Sequence, residues 1–227
     1  MGRPTPQLGP GGATGRPSAQ FHKVTPEPDV PRQYQSTETR RRQVAQAALK
    51  TIAEDGVARF TSKAVADRVG ISDGTLFRHF GSKVEIVLEA MDLLEVEIDA
   101  GLIETGDPRS DLEAFFRHRA AFVGAQESVG RLIFSDELIH LAGDVGLERV
   151  ERWRRRSVSY LLTRLQALGA AGALRPDLDI PAMSMLVQGA LLTFAMQASL
   201  GRATSSAELE ARVQHAWQAL RTVLFND

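Results

Sequence analysis

A short run of residues between Thr61 and Lys83 carries side chains that can bind a nucleic acid. The run reads TSKAVADRVGISDGTLFRHFGSK. Thr75 offers a hydroxyl and a methyl group that can meet thymine, and Arg78 can bind guanine or a phosphate. Gly74 has no side chain, so DNA can approach the backbone there. These residue types, close together on one short segment, favour contacts with base edges in a DNA groove.

Lys83 stands at the start of the next predicted helix, where the helix dipole disfavours a cation. We expect a group outside the helix to explain it, and a DNA phosphate is the natural candidate. Thr61, Ser62 and the backbone amides beside them begin an earlier short helix and would make a second phosphate contact. The alternative for Lys83 is an ordinary solvated lysine.

Two short helices must hold these side chains in place. We predict them at Ser62–Val69 and Asp73–Phe80, with Gly70 in the tight turn between them and Ser72 capping the second helix. The apolar residues that would lock them together are Val65, Ala66, Val69, Ile71 and Leu76. This pattern is a helix-turn-helix, in which the second helix enters the major groove.

The flanking segments complete a small domain. A first helix is predicted from Thr37 to Asp55, ending where Gly56 can adopt the left-handed conformation. A long helix follows the pair, and Ser82 and Glu85 are placed to form a capping box at its start.

Charge divides the chain into two parts. Residues 37–83 hold nine Lys/Arg and five Asp/Glu, a net of +4, whereas residues 84–227 hold fourteen and twenty-one, a net of −7. Only a part that meets phosphates needs positive charge. The balance therefore predicts a nucleic-acid reader joined to a module with another task.

Apolar residues recur every three or four positions after residue 36, and no convincing alternating strand pattern is present. We predict an all-α fold, with an N-terminal three-helix helix-turn-helix domain at residues 37–83 and a larger C-terminal helical domain for ligand binding and dimerisation at residues 84–227. Later helices are expected at Ser110–Ala125, Glu127–Leu141, Val145–Leu168, Ile180–Leu200 and Ser206–Phe225.

The first 36 residues contain five Gly and seven Pro and predict a disordered tail. Its four cations, Arg3, Arg16, Lys23 and Arg32, could make it an arm that touches DNA. A solvated tail without a role is the better interpretation, since they form no dense patch. No apolar signal-peptide core is present, which predicts a cytoplasmic protein.

Catalytic and metal-binding motifs are missing from the sequence. The absence of cysteine excludes disulfides, thiolate metal sites and cysteine nucleophiles, and no nucleophile elbow or phosphate-cradling loop occurs. Asp136 and His140 share a helix face, with His118 as a third candidate ligand, but a hydrogen-bonded histidine explains them better than a metal site. We predict no catalytic residue, no metal and no cofactor, and hence not an enzyme.

Two further segments have a plain explanation. The cluster Arg152, Arg154, Arg155 and Arg156 around Trp153 resembles a basic patch, but nearby acids favour ion pairs on a solvated face. Residues 180–201 hold no charged side chain, yet their polar residues make a membrane span a poor interpretation. A helix covered by its own domain and by a partner subunit fits better.

The segment from Thr37 to Leu94 resembles the DNA-binding domain of the TetR family of bacterial transcriptional regulators. The likeness lies in the Thr61-Ser62 start, the Gly70-Ile71-Ser72 turn, the Gly74-Thr75-Leu76-Phe77 core and the Phe80-to-Lys83 run. The run from Gly172 to Asp179 is similar to the family's approach to its penultimate helix.

The resemblance implies two sets of DNA contacts. Phosphates would be bound by Thr61, Ser62, Phe77, His79 and Lys83, and bases or the groove by Lys63, Asp73, Gly74, Thr75 and Arg78. Phe77 departs from the tyrosine common in the family, so a phosphate bond through that hydroxyl is absent. The family's last two helices typically form a dimer interface, here expected at Leu186, Gly189, Thr193, Val213, Trp217, Leu220 and Leu224.

These observations predict a homodimeric, ligand-responsive transcriptional regulator, usually a repressor in this family, that binds a pseudo-palindromic operator of double-stranded DNA. A small-molecule effector would shift the population between two states of different operator affinity. Candidate pocket residues are Phe115, His118, Phe122, Phe134, Trp153, Met185, Gln188 and Phe194, although core packing explains each as well. The rivals are an effector-independent DNA-binding protein of the same fold and a helical-bundle enzyme.

Overall fold

A computed structural model describes residues 1–2, 36–125, 137–199 and 205–226. The described residues from 36 to 226 pack as one unit. The predicted tail lies almost entirely outside the described residues.

The described residues form eight α-helices and one short 3-10 helix, Val57–Arg59. In chain order the helices are α1 (Thr37–Asp55), α2 (Ser62–Val69), α3 (Asp73–His79), α4 (Lys83–Ala100), α5 (Pro108–Ala125), α6 (Glu137–Ala170), α7 (Ile180–Ser199) and α8 (Ser206–Leu224). The described ranges contain no strand beyond an isolated antiparallel bridge between Leu174 and Phe225. The predicted all-α fold is confirmed.

Polar caps set the starts of the helices, because a serine or threonine oxygen satisfies an amide that has no partner inside the helix. Ser36, Thr61, Ser72, Ser82 and Ser205 each accept a hydrogen bond from the amide three residues later. The predicted box at Ser82 differs in one detail: the Glu85 carboxylate accepts from the amide of Gly81, at 2.7 Å, rather than closing on Ser82.

The predicted helix Val145–Leu168 is part of a longer helix. α6 runs from Glu137 to Ala170 and has a kink at Gly143. Gly143 has φ 62° and ψ −150°, which a glycine adopts without the penalty of a side chain. The kink falls where a break was expected. The predicted helix Glu127–Leu141 lies mainly outside the described residues.

Two apolar clusters form the interior. The first joins α1–α4 to Ala142, Val150 and Trp153 of α6. The second joins α5, the later part of α6, α7 and α8 around Phe116 and Trp217. The first cluster crosses the predicted boundary at residue 84, so the helix-turn-helix shares its interior with α6. The two-domain division itself stays a prediction.

Candidate functional site

The turn between α2 and α3 is held by backbone geometry and a cap. Gly70 has φ 75° and ψ 35°, the left-handed conformation in which glycine is unstrained. The amide of Ile71 donates to the carbonyl of Ala66 at 3.0 Å, which closes the end of α2. Ser72 then accepts from the amide of Thr75 at 3.1 Å and begins α3. The turn therefore restricts the direction in which α3 leaves α2.

α3 buries one side and exposes the other. Leu76 is fully buried, and Phe80, which follows the helix, is 1% exposed. Phe77 is 45% exposed, so its ring does not belong to the core. A Cβ at Gly74 would meet no atom within 4 Å. The exposed side of α3 thus has room for a partner to approach closely.

A hydrogen-bond chain links the polar side chains of α3. Arg78 donates from Nη2 to Oγ1 of Thr75 at 3.1 Å, and that oxygen lies 2.9 Å from Oγ of Ser72. Arg78 is exposed, so the other N–H groups of its guanidinium can still donate to DNA. Thr75 therefore orients Arg78 as well as being a candidate contact.

The start of α2 has donors in place for a phosphate. Oγ1 of Thr61 accepts from the amide of Ala64 at 3.1 Å, which leaves the threonine O–H free to donate elsewhere. Lys63 pairs with Asp67 at 3.2 Å, and both side chains are mostly exposed. Such a surface pair is weak, so Lys63 can exchange Asp67 for a phosphate.

Lys83 has a partner within the chain. Its Nζ lies 4.8 Å from the centre of the Phe60 ring, a cation–π distance. Phe60 lies outside α4, so a group outside the helix does contact Lys83, as expected; the contact with a DNA phosphate stays a prediction. Lys83 is an exposed residue, so a phosphate can still approach it.

Arg41 anchors α3 to its neighbours, a role that sequence reasoning missed. Its guanidinium donates to the carbonyl of His79 at 2.5 Å, to Glu85 at 3.0 Å and to Glu89 at 2.5 Å. The amide of Gly81 and Arg41 hold the pKa of Glu85 below its usual range, the amide contributing more. One side chain of α1 therefore ties the end of α3 to α4.

All ten predicted DNA contacts lie outside the core. Thr61, Lys63, Asp73, Gly74, Phe77, Arg78 and Lys83 are exposed, and Ser62, Thr75 and His79 are half-buried. Burial thus prevents none of them from reaching DNA, and their role as contacts stays a prediction.

The arginine cluster on α6 forms ion pairs, as expected, though mainly with another helix. Arg156 lies 2.7 Å from Glu95 and 2.9 Å from Asp99, both on α4, and Arg155 lies 3.3 Å from Glu151. The pairs of Arg156 hold α6 against α4.

A cavity of about 220 Å³ lies between α4, α5, α6 and α7. Of the predicted pocket residues, Phe115, Trp153 and Gln188 line it. His118, Phe122 and Phe194 lie elsewhere, and Phe194 packs edge-on against Phe116. Met185 was predicted wrongly, since it is 72% exposed on the outer side of α7. Phe134 lies outside the described residues.

Arg119 is the cavity residue that sequence reasoning missed. It is 8% exposed, and both of its hydrogen bonds come from Nη2, at 3.0 Å to the carbonyl of Ile98 and 3.2 Å to Oγ of Ser157. Its Nε is buried and has no acceptor among the residues that the structure describes. Burial lowers the pKa of Arg119 to about 10, although nearby Asp99 acts in the opposite direction.

His118 gives no support to a metal site. Its ring stacks on Phe122, with centroids 6.4 Å apart, and burial followed by the charge of Arg119 lowers its pKa. No group of three His, Asp or Glu side chains that could hold a metal occurs among the residues described. Asp136 falls outside them.

The outer face of α7 is apolar and exposed. Met185, Leu186, Leu192 and Met196 are 72%, 52%, 37% and 58% exposed, and Gly189 and Thr193 are exposed beside them. By length and composition alone, Ile180–Ala198 would be long and apolar enough to cross a membrane. The neighbouring cluster of buried residues shows that its other face packs in the protein's own core.

Three of the predicted interface residues lie instead in the chain's own core. Val213, Trp217 and Leu224 are 4%, 1% and 1% exposed, because α8 packs them against α5 and the rest of its own chain. Leu186, Gly189 and Thr193 lie on the exposed face of α7, and Leu220 is half-buried. An interface would therefore centre on α7 more than on α8.

A capped helix-turn-helix on an all-helical body defines the class of helical DNA-binding transcriptional regulators. Residues 45–90 match the family described as bacterial regulatory proteins, tetR family. The chain is 30% identical over 158 residues to the HTH-type transcriptional repressor KstR2 of Mycolicibacterium smegmatis, covering 67% of this chain and 75% of the relative. This chain belongs to the TetR family and is a transcriptional regulator.

Solved structures show the same fold. The ketosteroid transcriptional regulator KstR2 of Mycobacterium tuberculosis aligns with a TM-score of 0.67 at 21% identity, over 83% of this chain and 96% of that one. FadR from Bacillus subtilis, in complex with stearoyl-CoA, aligns with a TM-score of 0.60 at 16% identity, over 80% of this chain and 98% of that one.

Proposed function

We propose that this chain is a homodimeric repressor that binds operator DNA through α3 and leaves it when a small molecule fills the cavity. The observation that carries the proposal is the exposed side of α3, where Arg78 is oriented by Thr75 and Gly74 leaves open space. A helix presented in this way can enter the major groove. KstR2 is a repressor by name, and FadR is bound to stearoyl-CoA, which supports both parts of the role. We assign it no enzymatic activity and a cytoplasmic location.

The exposed apolar face of α7 supports a dimer. A soluble monomer seldom leaves so many large apolar side chains together in water. Two copies joined by a two-fold axis would cover this face and present two copies of α3. Such a dimer reads two half-sites about one helical turn apart or multiples of that spacing, which is a pseudo-palindrome.

α4 connects the cavity with the DNA-reading end. It begins at Lys83, directly after the helix-turn-helix, and Ile98 near its other end lines the cavity. Trp153 also lines the cavity and packs in the apolar cluster of α1–α4. A ligand that displaces Ile98 or Trp153 would therefore move α4, and with it the spacing of the two copies of α3.

The proposal is tested first by selecting DNA from a random pool with the purified full chain. Wild type, Thr75→Ala, Arg78→Ala and Lys83→Ala are then titrated against the selected and scrambled DNA at several salt concentrations. The loss of Thr75 or Arg78 should cost about 1 to 3 kcal/mol, chiefly on selected DNA. The loss of Lys83 should weaken both DNAs alike and lower the salt slope by about one unit.

Two results would contradict the placement on DNA: an unchanged salt slope in Lys83→Ala, and equal losses on both DNAs in Arg78→Ala. If no compound in a broad small-molecule panel releases the selected DNA, ligand control is wrong and the chain is a DNA-binding protein that acts without an effector.

A further inference from the structure

The cavity combines apolar walls with a buried cation. Phe115, Trp153, Leu161 and Leu191 supply apolar surface from three helices. Its volume of about 220 Å³ exceeds the ~150 Å³ of an apolar protein cavity known to admit benzene. The space therefore suits a small molecule with an aromatic or branched apolar body.

Arg119 lies in the wall of this cavity without an anionic partner. Within the part of the chain that the structure describes, no carboxylate lies at ion-pair distance from its guanidinium. The carbonyl of Ile98 and the hydroxyl of Ser157 occupy Nη2 only, and the buried Nε–H has no acceptor. The guanidinium lies 5.4 Å from the centre of the Phe115 ring, a cation–π distance, but this contact brings no negative charge, and burial of the cation costs stability in the unliganded protein.

Ser157 extends the donor set. Its Oγ accepts from Arg119, so its own O–H is left to donate, and Ser157 lines the same cavity. An N–H of Arg119 other than those of Nη2 and the adjacent Ser157 hydroxyl can each donate to one of the two oxygens of a carboxylate. A phosphate monoester would bring nearly two negative charges to Arg119, while Arg154, the second cation of the lining, lies at its exposed side, so a monocarboxylate fits the buried end better.

We propose that the cavity binds an apolar monocarboxylic acid, with its carboxylate on Arg119 and Ser157 and its body between Phe115, Trp153 and Leu161. The inference rests on the proposed function and names the chemical class of its effector. Because the pKa of Arg119 stays at about 10, the side chain keeps its charge at neutral pH, where such acids are ionised. The acid supplies the negative charge that the wall lacks.

Matched pairs of acids and primary amides test the charge requirement. The probes are 3-phenylpropionate, cyclohexanecarboxylate and octanoate with the corresponding amides, titrated by calorimetry into the full chain. We expect at least one acid to bind about tenfold or more tightly than its amide, because a charge-assisted hydrogen bond exceeds a neutral one. Arg119→Met should bind that acid and its amide equally, and Ser157→Ala should weaken the acid several-fold.

The control is Arg117→Met, on the same helix, which removes a half-exposed arginine paired with Glu113 and should keep the preference for the acid. Arg119→Met should melt at or above the wild-type temperature, since replacing an uncompensated buried charge by an apolar chain is often stabilising. If Arg119→Met lowers the melting temperature and still binds the acid more tightly than the amide, Arg119 has only a structural role, in which it joins Ile98 to Ser157. That result, or a panel in which no acid surpasses its amide, overturns the proposal.

Operator release separates this inference from the proposed function. If an acid binds through Arg119 and leaves DNA binding unchanged, the result supports the carboxylate site and contradicts ligand control of DNA binding. If neutral compounds release the DNA and no acid binds more tightly than its amide, the result supports ligand control and contradicts the carboxylate site. If no DNA is selected at all, the calorimetric comparison still decides whether Arg119 binds a carboxylate.

Discussion

Replacing Arg41 with Met should destabilise the protein by about 2 kcal/mol at neutral pH. Arg41 makes ion pairs with Glu85 and Glu89, and the side-chain exposures of 28% to 41% place each within the ~0.2 to 1 kcal/mol of partly solvated pairs. Its bond to the carbonyl of His79 adds about 1 kcal/mol. The guanidinium also lies 4.4 Å from the Phe80 ring centre. Operator affinity should fall too, since this side chain fixes the end of α3.

The loss should depend on pH in a defined direction. Gly81 and Arg41 lower the pKa of Glu85, so the contribution of this carboxylate is present above the ordinary glutamate range and is lost as pH falls through the lowered pKa. The difference between wild type and Arg41→Met in urea denaturation should therefore be largest at pH 7 and smaller below about pH 4. Arg42→Met, next in sequence and exposed, is the matched control. Equal destabilisation by both variants, or a pH-independent difference, would refute this account.

Three further predictions concern the packing of α3, its approach to DNA and the dimer interface. Gly74→Ala should raise the free energy of unfolding by up to about 1 kcal/mol through helix propensity, yet weaken operator binding in a gel shift; unchanged DNA affinity would contradict close approach at this position. In urea denaturation, Leu76→Ala should lower the free energy of unfolding by about 2 to 5 kcal/mol and Phe77→Ala by less than about 1 kcal/mol, because Leu76 is fully buried and Phe77 is exposed. Similar losses in the two variants would contradict this packing of α3. Leu186→Glu should give monomers in sedimentation, whereas Val145→Glu, of similar exposure on α6, should not; a stable Leu186→Glu dimer places the interface elsewhere.

Local chemistry made the helix-turn-helix predictable. A left-handed glycine at residue 70 and capping serines at residues 72 and 82 act within a few positions, so their effects can be read along the chain. The confirmed starts of α1, α2 and α3 all follow from such signals.

Contacts between residues far apart in the chain could not be predicted from the sequence, because they depend on how the helices pack. Arg41 meets Glu89 across 48 positions, and Arg119 meets the carbonyl of Ile98 across 21, distances that only the packing of helices can close. The choice of face was wrong for three residues of α8 and, on α7, for Met185, whereas Leu186, Gly189 and Thr193 of α7 are exposed. α7 has apolar side chains on more than one side, so spacing alone does not decide which side the chain's own core covers.

The position of Trp153 provides an optical signal. The chain has two tryptophans, and the other, Trp217, is 1% exposed and packs 5.7 Å from Phe116 in the second cluster. Trp217→Phe would leave Trp153 as the one tryptophan, in the wall of the cavity and on the helix that meets the core of the DNA-reading end, and excitation at the red edge of the spectrum would select it over the two tyrosines. Emission from this one indole should change both when the cavity fills and when α4 moves, so a fluorimeter could follow the two events in real time without an added dye.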